Sequence, residues 1–362
     1  MKIQSIKVTP GATTTIPYSR GDTWSVAWTR EDELFSPVND GYAFTDLATG
    51  NNPPERHVAI ARLGFGLGGA PLLYGELVND LPDYTPPPRD NILAARGPDG
   101  CTWKSSGCIA VDGALYLVIA RHRYGEENPG DSLRRQSARD ASIIKSADGG
   151  RTWTRAHDEN YRRPMFPGAR FATPYFVNYG RDGHETFADG GDEFVYAHAN
   201  GGYWDNSDDL VLGRVLRKKI GALNVADWQF FTGGDGRAPS AWSPYLEAAR
   251  PVLAEKTQLG SGGAVYLPQW QCYVLIGWHF PAGGGKLPGA VNETAWTFYA
   301  GDTPWGPWRA VGTHTFNPEG FYCPAICPRF MSADGRRAWV VTSGNWLNWR
   351  WYRLSFVGIE LA

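Results

Sequence analysis

The sequence predicts an all-β protein. Helical periodicity is almost absent from its 362 residues, and short apolar–polar alternations separated by Gly, Pro, Asn and Asp take its place. The 44 glycines and 26 prolines suit a fold with many turns, and the 16 Trp, 17 Tyr and 16 Phe supply the bulky side chains that strands prefer. One exception is residues 244–253, where Leu246, Ala249 and Leu253 would share a face of one or two helical turns.

A tight hairpin anchors the strand assignment. Residues 146–153 read Ser-Ala-Asp-Gly-Gly-Arg-Thr-Trp. Asp148 can accept hydrogen bonds from its own turn, the pair Gly149-Gly150 supplies positive φ, and Trp153 starts the next strand. These residues therefore predict a strand–turn–strand unit, and an ordinary hairpin with no wider meaning for the fold is the alternative interpretation.

Around this hairpin the chain divides into five units of four strands. The predicted strands are 23–29, 33–38, 58–65 and 71–78; 102–111, 114–121, 141–146 and 152–156; 173–179, 193–199, 210–216 and 228–232; 263–267, 273–278, 294–299 and 308–313; and 325–331, 337–343 and 351–360. The fifth unit lacks a strand, and the N-terminal segment 3–9 can complete it, which leaves no free edge. We therefore expect a single domain, residues 1–362, with the fold of a five-bladed β-propeller closed by its N-terminal strand.

Loop lengths distinguish the two faces of this propeller. Loops between the second and third strands of a blade, and between blades, share one face, and here they are long: 39–57, 79–101, 122–140, 157–172, 233–262 and 279–293. The loops on the opposite face, which include the hairpin at 146–153, are mostly short. Long loops on one face of a rigid scaffold are the usual place for binding and catalysis.

Charge and composition limit the partners. With 20% charged residues and a formal net charge of −2, the chain gives no reason to expect nucleic acid, and without a long apolar run it gives none to expect a membrane. The first eight residues alternate apolar and polar, which predicts a strand and not a signal peptide. We expect a cytoplasmic protein, or a secreted one whose leader has been removed; the oligomeric state is open.

The cysteines and the missing motifs indicate no cofactor. An odd, scattered set of five cysteines argues against a disulfide framework and lacks zinc-site spacing, so we expect small buried side chains at Cys101, Cys108, Cys272, Cys323 and Cys327. Phosphate-binding and nucleophile-elbow motifs are absent. A metal ion on the propeller axis would be compatible with the fold, but no ligand spacing indicates one.

Several motifs resemble known propeller proteins. Residues 146–153 resemble the Asp box of sialidase-type propellers. Together with residues 20–24 (Arg-Gly-Asp-Thr-Trp), 35–41 (Phe-Ser-Pro-Val-Asn-Asp-Gly), 304–308 (Pro-Trp-Gly-Pro-Trp) and 322–326 (Tyr-Cys-Pro-Ala-Ile), they resemble bacterial five-bladed propellers related to endo-D-arabinanases. This resemblance covers most of the chain and implies a polysaccharide-degrading protein.

A more distant similarity is to the arabinanase and β-fructosidase propellers, whose active sites use inward carboxylates around the axis. This chain departs from their pattern in the third blade, because the inner segment 171–176 (Phe-Ala-Thr-Pro-Tyr-Phe) carries no carboxylate. A direct copy of their three-carboxylate site is therefore not expected.

Two aspartates are the first catalytic candidates. Asp22 begins the innermost strand of blade one and Asp40 ends the neighbouring strand, so antiparallel pairing would bring them together on the long-loop face. Glycoside hydrolysis needs two carboxylates, one to protonate the leaving oxygen and one to attack or to activate water. The alternative is structural, with Asp22 capping a turn and Asp40 forming an Asn-Asp-Gly turn.

A second candidate cluster leaves the second strand of blade two. Core packing does not explain the residues at this strand end, which are Arg121, His122, Arg123 and Tyr124, because such side chains are costly to bury without a partner. The arginines would bind a carboxylate or sugar hydroxyls, and His122 with Tyr124 would serve a lyase that abstracts a proton next to a uronic acid carboxylate. A solvated charged loop is the alternative.

Further polar and aromatic residues recur at corresponding strand ends. Glu319 precedes blade five and is the candidate for the missing acid. Aromatic rings at such positions can stack on the apolar faces of sugars while polar neighbours bind the hydroxyls. The substrate-binding candidates of this kind are His198, Asn200, Trp204, Asp205, Trp278, His279, Tyr322, Asn345 and Trp346.

Three functions fit these residues. A glycoside hydrolase acting on an oligo- or polysaccharide, such as an arabinofuranoside-containing one, would use Asp22 and Asp40. A polysaccharide lyase would use the cluster around His122. A glycan-binding propeller without catalysis would need only the aromatic loops.

Overall fold

Five blades surround a common axis in the computed structural model, which describes residues 2–64, 74–85, 96–124, 130–155, 163–183 and 193–362. The predicted all-β, five-bladed β-propeller is confirmed. Predicted residues 65, 71–73 and 156 lie outside the described residues, as do parts of the long loops. No helix in the described part of the chain has both the length and the apolar character needed to cross a bilayer.

The strands follow the predicted order. They are β1 (Ile6–Thr15), β2 (Ser19–Asp22), β3 (Ala27–Trp28), β4 (Leu34–Phe44), β5 (Ala59–Gly64), β6 (Tyr74–Asn79), β7 (Thr102–Val111), β8 (Ala114–Arg123), β9 (Ser137–Ser146), β10 (Thr154–Arg155), β11 (Tyr175–Asn178), β12 (Phe194–Asn200), β13 (Ser207–Leu216), β14 (Trp228–Phe231), β15 (Trp242–Ser243), β16 (Pro251–Leu259), β17 (Ala264–Leu267), β18 (Cys272–His279), β19 (Thr294–Gly301), β20 (Arg309–Phe316), β21 (Tyr322–Met331), β22 (Arg337–Ser343) and β23 (Ser355–Leu361).

Blade one holds β2 to β6, blade two β7 to β10, blade three β11 to β16, and blade four β17 to β20. Blade five is the sheet β21–β22–β23–β1, in which β1 pairs antiparallel with β23 from Ile6↔Leu361 to Thr15↔Ser355. The predicted closure by the N-terminal strand is therefore confirmed. It covers the edge that β23 would otherwise expose.

In the described part of the chain, the buried apolar side chains form five clusters, one between each pair of adjacent blades. Alternation along each strand divides its side chains between two of them. In β8, for example, Leu115 and Leu117 pack toward blade one, whereas Tyr116 and Val118 pack toward blade three. A period of two therefore lets each middle strand bury both of its faces. All five cysteines are buried and free, as expected.

The predicted helix at residues 244–253 is wrong for its second half. Leu246–Ala248 form a single 3-10 turn, and the chain then continues as β16, which pairs antiparallel with β13. The apolar spacing reflects packing on blade three and not a helical face. The other helical segments in the described residues are also short 3-10 segments of three to six residues: Pro82–Tyr84, Arg181–Gly183, Arg217–Ala222, Val225–Asp227, Pro239–Ala241 and Ala290–Asn292.

The hairpin at 146–153 forms the predicted turn. The Asp148 carboxylate accepts hydrogen bonds from the Thr152 amide (2.9 Å) and hydroxyl (2.7 Å), and Ser146 accepts one from the Gly150 amide (2.8 Å). Gly149 and Gly150 have φ of 70° and 82°. The turn lies at the end of β9 remote from Ser137, about 30 Å along a ten-residue strand. It therefore supports the fold and contributes nothing to the central cavity.

Candidate functional site

A cavity of about 320 Å³ opens at the end of the axis opposite the Asp148 turn. Its charged lining residues are Arg20, Asp22, Asp40, Glu55, Lys104 and Lys286. Its aromatic ones are Tyr124, Trp204, Trp346 and Tyr352, and Thr23, Asn39, His122, Gln136 and Leu347 complete the wall. The cavity thus combines opposite charges with apolar rings, as a polar ligand with apolar faces requires.

Glycines bring the two aspartates to this cavity. In blade one Asp22 pairs with Asn39, and the register shifts between Arg20 and Asp22. A Cβ on Gly41 would lie 2.1 Å from the Arg20 carbonyl oxygen and 2.5 Å from the Gly21 Cα, so the two glycines permit an approach that no side chain would allow. The motifs Arg-Gly-Asp and Asn-Asp-Gly are therefore needed for this local crossing, which places Asp22 and Asp40 in one cavity.

The backbone at the cavity is held in left-handed conformations. Thr23 and Asp40 have φ of 55° and 50°, values that residues with a Cβ seldom adopt. Such positions cost about 1–3 kcal/mol each and persist where the surrounding structure enforces them. Here the Asn39 side chain contributes, because its amide donates to the Thr23 hydroxyl and to the Ser105 carbonyl oxygen. Blade two thereby fixes the backbone that carries both carboxylates.

Asp22 is buried and has few hydrogen-bond donors around it. Its carboxylate accepts hydrogen bonds from the Tyr322 hydroxyl (2.8 Å) and the Thr23 hydroxyl (3.2 Å). Burial, followed by the negative charge of Asp40, raises the pKa of Asp22 to about 7, although Lys104 and the two hydroxyls act in the opposite direction. This carboxyl group can therefore hold a proton near neutral pH.

Asp40 has the opposite environment. It forms an ion pair with the buried Lys104, and the Nδ1 atom of His57 lies 3.4 Å from its Oδ1 atom. Burial alone would raise the pKa of Asp40, but the charges and hydrogen bonds of Lys104 and His57 together outweigh it and hold that pKa well below the usual range. The same pair keeps the pKa of Lys104 above its ordinary value, against the effect of burial. Asp40 is therefore ionised at any pH at which the protein works.

His122 and Tyr124 line the same cavity, as predicted. Burial, followed by the charge of Lys104, lowers the pKa of His122 to about 3, so the imidazole is neutral and a weak base. Burial and the charge of Asp40 raise the pKa of Tyr124, so the phenol keeps its proton. Their position fits a substrate contact, whereas their protonation states disfavour proton abstraction by either group at neutral pH.

The arginines of this cluster lie elsewhere. Arg121 is buried, forms an ion pair with Asp99 (2.7 Å) and stacks on Trp103 with its Cζ atom 4.4 Å from the ring centroid. Arg121 does not line the cavity, so its predicted placement there is wrong; the contacts with Asp99 and Trp103 explain its burial, which the sequence did not reveal. Arg123 is exposed and lines a neighbouring groove together with Asp131, Arg135 and Tyr203.

Five predicted substrate contacts also fall outside the cavity lining. His198 bonds the Pro304 carbonyl oxygen (2.8 Å), and Asn200 donates to the Leu259 carbonyl oxygen (2.9 Å). Trp278 is buried, with its indole N–H bonded to the Ser261 carbonyl oxygen (2.8 Å). These three side chains face between blades and satisfy backbone groups, so the placement predicted for them is wrong.

The other two are His279 and Asn345. His279 is half-buried at the end of β18, where burial lowers its pKa. The Asn345 side chain bonds Asn292 (2.8 Å) and the Leu347 amide (3.0 Å), which shapes the loop that carries Trp346. Neither side chain lines the cavity, so the placement predicted for both is wrong.

Trp204 and Trp346 reach the cavity as predicted, whereas Tyr322, also predicted as a substrate contact, lies outside its lining. Trp204 and Trp346 line it, and each packs edge to face against Tyr322, with ring centroids 5.5 and 5.7 Å away. Tyr322 is fully buried beneath them and directs its hydroxyl at Asp22. The predicted aromatic wall therefore exists, and Tyr322 positions the carboxyl group.

Asp205 serves as a clamp behind the wall. Its carboxylate is inaccessible to solvent and accepts hydrogen bonds from the amides of Gln136 and Gly285, both 2.8 Å long. Burial raises its pKa to about 6. Gln136 and Lys286, next to these bonds, line the cavity. Asp205 therefore positions lining residues and does not contact the cavity, which corrects its predicted role.

The glycine run 283–285 is packed tightly against neighbouring segments. A Cβ on Gly284 would lie 2.5 Å from the Leu133 carbonyl oxygen, and one on Gly285 would lie 2.3 Å from the Trp346 ring. Glycine is needed here for close approach.

Glu319 is not part of the central cavity. It is half-buried and lines a separate groove with Trp349 and Arg350, while its backbone carbonyl accepts a hydrogen bond from the Asn345 amide (2.9 Å). The prediction that it shares one pocket with Asp22 is therefore wrong. The turn before blade five directs this side chain outward.

Sequence reasoning missed Lys104 and the cations around it. Lys104 is a charged residue in an otherwise uncharged inner strand, β7, and the argument that singled out Asp22 applies equally to it. Arg20 with Glu55, and Lys286 over the Tyr124 ring (4.4 Å), had no comparable signal, because their partners are distant in the sequence. Across the described ranges, no group of three or more His, Cys, Asp or Glu side chains is arranged to hold a metal ion.

The sequence matches no established protein-family profile and no curated protein. Its structure is similar to a Bacteroides ovatus protein proposed to be a hydrolase, with 13% identity, a TM-score of 0.54, and coverage of 98% of this chain and 93% of the other. It is also similar to the β-xylosidase RS223, with 8% identity, a TM-score of 0.50, and coverage of 96% and 94%.

A third structural match is GH43B of the Bacteroides ovatus xyloglucan PUL, with 13% identity and a TM-score of 0.48. The match covers 92% of this chain, which spans about half (50%) of that longer protein. At such identities the first two similarities support the propeller fold alone, and the relation to endo-D-arabinanases stays a prediction.

Proposed function

We propose that this protein is a glycoside hydrolase that cleaves an oligo- or polysaccharide in the central cavity, with Asp22 and Asp40 as its catalytic pair. The supporting observation is that two carboxylates line one cavity and have pKa shifts in opposite directions. Environments that separate the pKa values of two acids in this way are typical of acid–base pairs at active sites.

The roles follow from the protonation states. Asp22, with its raised pKa, donates its proton to the oxygen of the leaving sugar as the glycosidic C–O bond breaks. Asp40 stays ionised beside Lys104 and faces the positive charge that develops at the anomeric carbon. Water supplies the hydroxyl group of the new reducing end, and its second proton returns the acid to its starting state.

The cavity wall suits a sugar ring. Trp346 and Tyr352 offer apolar surfaces on which C–H groups can stack, while Arg20, Gln136 and Lys286 offer donors for hydroxyl oxygens. The propeller of a β-xylosidase is similar to this one in fold. Pentose-containing plant polysaccharides, including arabinan, are therefore the first substrates to test.

A uronate lyase is the second candidate, and one observation favours it: His122 and Tyr124 both reach the cavity. A lyase needs a base at working pH and a cation for the uronate carboxylate. Arg20 and Lys286 in the cavity lining supply cations, but the pKa of about 3 makes His122 a weak base. The hydrolase therefore has the better support, and a glycan-binding protein without catalysis is the outcome if no product forms.

Product analysis tests this proposal. The protein is incubated with arabinan, xylan, arabinoxylan and a polyuronate, and products are identified by mass spectrometry and ultraviolet absorbance. A hydrolase yields saturated sugars with new reducing ends, and Asp22→Asn yields almost none. Unsaturated, ultraviolet-absorbing products contradict the hydrolase in favour of a lyase, and binding without any product contradicts both enzymes.

A further inference from the structure

The loop of residues 345–353 separates the central cavity from a second groove. Trp346, Leu347 and Tyr352 line the cavity. Trp349, Arg350, Trp351 and Arg353 line the groove, which has a volume of about 380 Å³ and is completed by Thr13, Thr15, Pro17 and Glu319. We call the second space the Trp349 groove. The two spaces share this loop as a common wall.

Hydrogen bonds make the loop a defined structure. The Asn345 and Asn348 side chains accept bonds from the Leu347 and Arg350 amides, each 3.0 Å long. The Gly344 amide closes the loop on the Trp351 carbonyl oxygen at 2.9 Å. These bonds fix the directions in which successive side chains point. The exposed position of Trp349 is therefore a defined feature of the loop.

Trp349 is unusually exposed for so large an apolar side chain. It is 70% exposed, and Leu347, on the cavity side of the same loop, is 75% exposed. The Arg353 guanidinium lies 5.0 Å from the Trp349 ring centroid, and its Nε atom donates to the Trp349 carbonyl oxygen (2.9 Å). Contact with Arg353 supports one part of the indole and leaves most of its surface to a ligand.

The groove also supplies hydrogen-bonding groups around this ring. Glu319 offers an acceptor, Arg350 offers donors, and the hydroxyls of Thr13 and Thr15 offer both. The apolar Trp349 ring is thus surrounded by hydrogen-bond donors and acceptors, some charged and some neutral. This arrangement suits a neutral sugar, which presents C–H groups on one face and hydroxyls at its edge. The groove is too small for a protein partner, which would need a larger apolar surface.

We propose that the Trp349 groove binds a sugar unit of the same polysaccharide chain whose cleavage site lies in the central cavity, so that Trp349 makes the enzyme favour polymers over short oligosaccharides. This inference rests on the proposed function. The shared loop supports the inference, because a polysaccharide that leaves the cavity past Trp346 and Leu347 would next reach Trp349.

Trp349→Ala tests the inference, with Tyr245→Ala as the control, since Tyr245 is also 70% exposed but lies before the 3-10 turn of blade three. Kinetics are measured on arabinan, xylan and arabinoxylan and on di- and trisaccharides made from each. Trp349→Ala should raise KM for the cleaved polymer about fivefold, the loss of one stacking contact, with kcat and the short substrates unchanged. The control should change neither. Equal KM values for wild type and Trp349→Ala, or equal losses on long and short substrates, overturn the inference.

Binding is measured separately from cleavage, so that the inference and the proposed function can fail independently. In affinity electrophoresis with the same polysaccharides in the gel, Asp22→Asn should be retarded, and Asp22→Asn/Trp349→Ala should be retarded less. Equal retardation of the two overturns the groove even if the hydrolase is correct. Retardation that needs Trp349, together with an absence of cleavage by the wild type, supports the groove and contradicts the hydrolase. A change of oligomeric state in Trp349→Ala would assign the ring to contacts between copies and overturn the inference.

Discussion

The hydroxyl of Tyr322 donates a 2.8 Å hydrogen bond to the carboxylate of Asp22 across 300 residues of sequence. Asp22 belongs to blade one and Tyr322 to blade five, the two blades between which the chain closes the ring. This bond favours the ionised form of Asp22, whereas burial and Asp40 favour the protonated form. The seam of the propeller therefore helps to set the protonation of the proposed acid.

Tyr322→Phe should shift the pH dependence of activity upward. Removing the donor raises the pKa of Asp22 further above its ordinary value, because an interaction with the charged form is lost. If Asp22 acts as the acid, activity falls as pH rises through that pKa, so the alkaline limb of the kcat profile should move up by roughly half to one pH unit.

The control is Tyr116→Phe, a buried tyrosine of blade two away from the cavity lining, which should leave the profile in place. An unchanged limb in Tyr322→Phe, or one at lower pH, contradicts the assignment of Asp22 as the acid.

Variants of the Asp40–Lys104 pair should show that its contribution to stability is distinct from the role of Asp40 in catalysis. Asp40→Asn leaves a buried ammonium group and Lys104→Met leaves a buried carboxylate, so each should lower the free energy of unfolding by about 3 kcal/mol or more. The double variant removes both charges and should recover much of that loss in urea denaturation, while turnover stays low. Additive losses of stability would show that the two groups do not interact, and an active double variant would remove Asp40 from catalysis.

Removing the N-terminal strand should destabilise the whole ring. Ile3 and Ile6 are each 1% exposed, and β1 completes the sheet of blade five. Deletion of residues 1–10 removes both side chains and half of the pairing with β23, so the melting temperature should fall by roughly 5 °C or more. Deletion of residues 1–2 alone is the control and should have little effect. An unchanged melting temperature in the longer deletion would mean that closure contributes nothing to stability.

Asp205→Asn should loosen the cavity wall without unfolding the protein. The amide side chain has one acceptor oxygen in place of two, so the Gln136 or the Gly285 amide loses its partner. Hydrogen exchange at residues 133–137 or 280–287 should become about tenfold faster, in line with the loss of a buried hydrogen bond. Asp235→Asn, at a side chain that is 63% exposed and accepts a hydrogen bond from the Arg237 amide outside both segments, is the matched control. Unchanged exchange in both segments would contradict the clamp.

The sequence was sufficient for the propeller because each blade repeats a local signal. Apolar and polar residues that alternate with a period of two between turn residues predict a strand without reference to distant residues. The fifth blade lacks one strand and the N-terminus has a strand to spare, so the sequence also predicts how the ring closes. Residues 244–253 were misjudged since apolar spacing over a short segment does not distinguish a helix from a strand that follows a turn. The pairing of β16 with β13 is a tertiary contact, which local pattern does not contain.

The candidate site was only partly predictable for a related reason. Asp22, Asp40, His122, Tyr124 and Trp346 follow from strand ends, which the local pattern gives. Whether a polar strand-end residue faces the axis or an adjacent blade depends on its partner, as the Asp99 pair of Arg121 and the Pro304 bond of His198 illustrate. Those partners come from other loops, so these residues resembled cavity residues in sequence.

The most direct test of the central claim compares Asp22→Asn with His122→Ala in kcat on the glycan that the wild type cleaves. Both residues line the cavity, but only Asp22 has a pKa suited to proton transfer near neutral pH. Asp22→Asn should lower kcat by about 10²–10⁴-fold with the fold preserved, and His122→Ala should lower it by much less. If His122→Ala abolishes activity while Asp22→Asn keeps most of it, proton transfer belongs to the histidine, and the hydrolase built on Asp22 and Asp40 is contradicted.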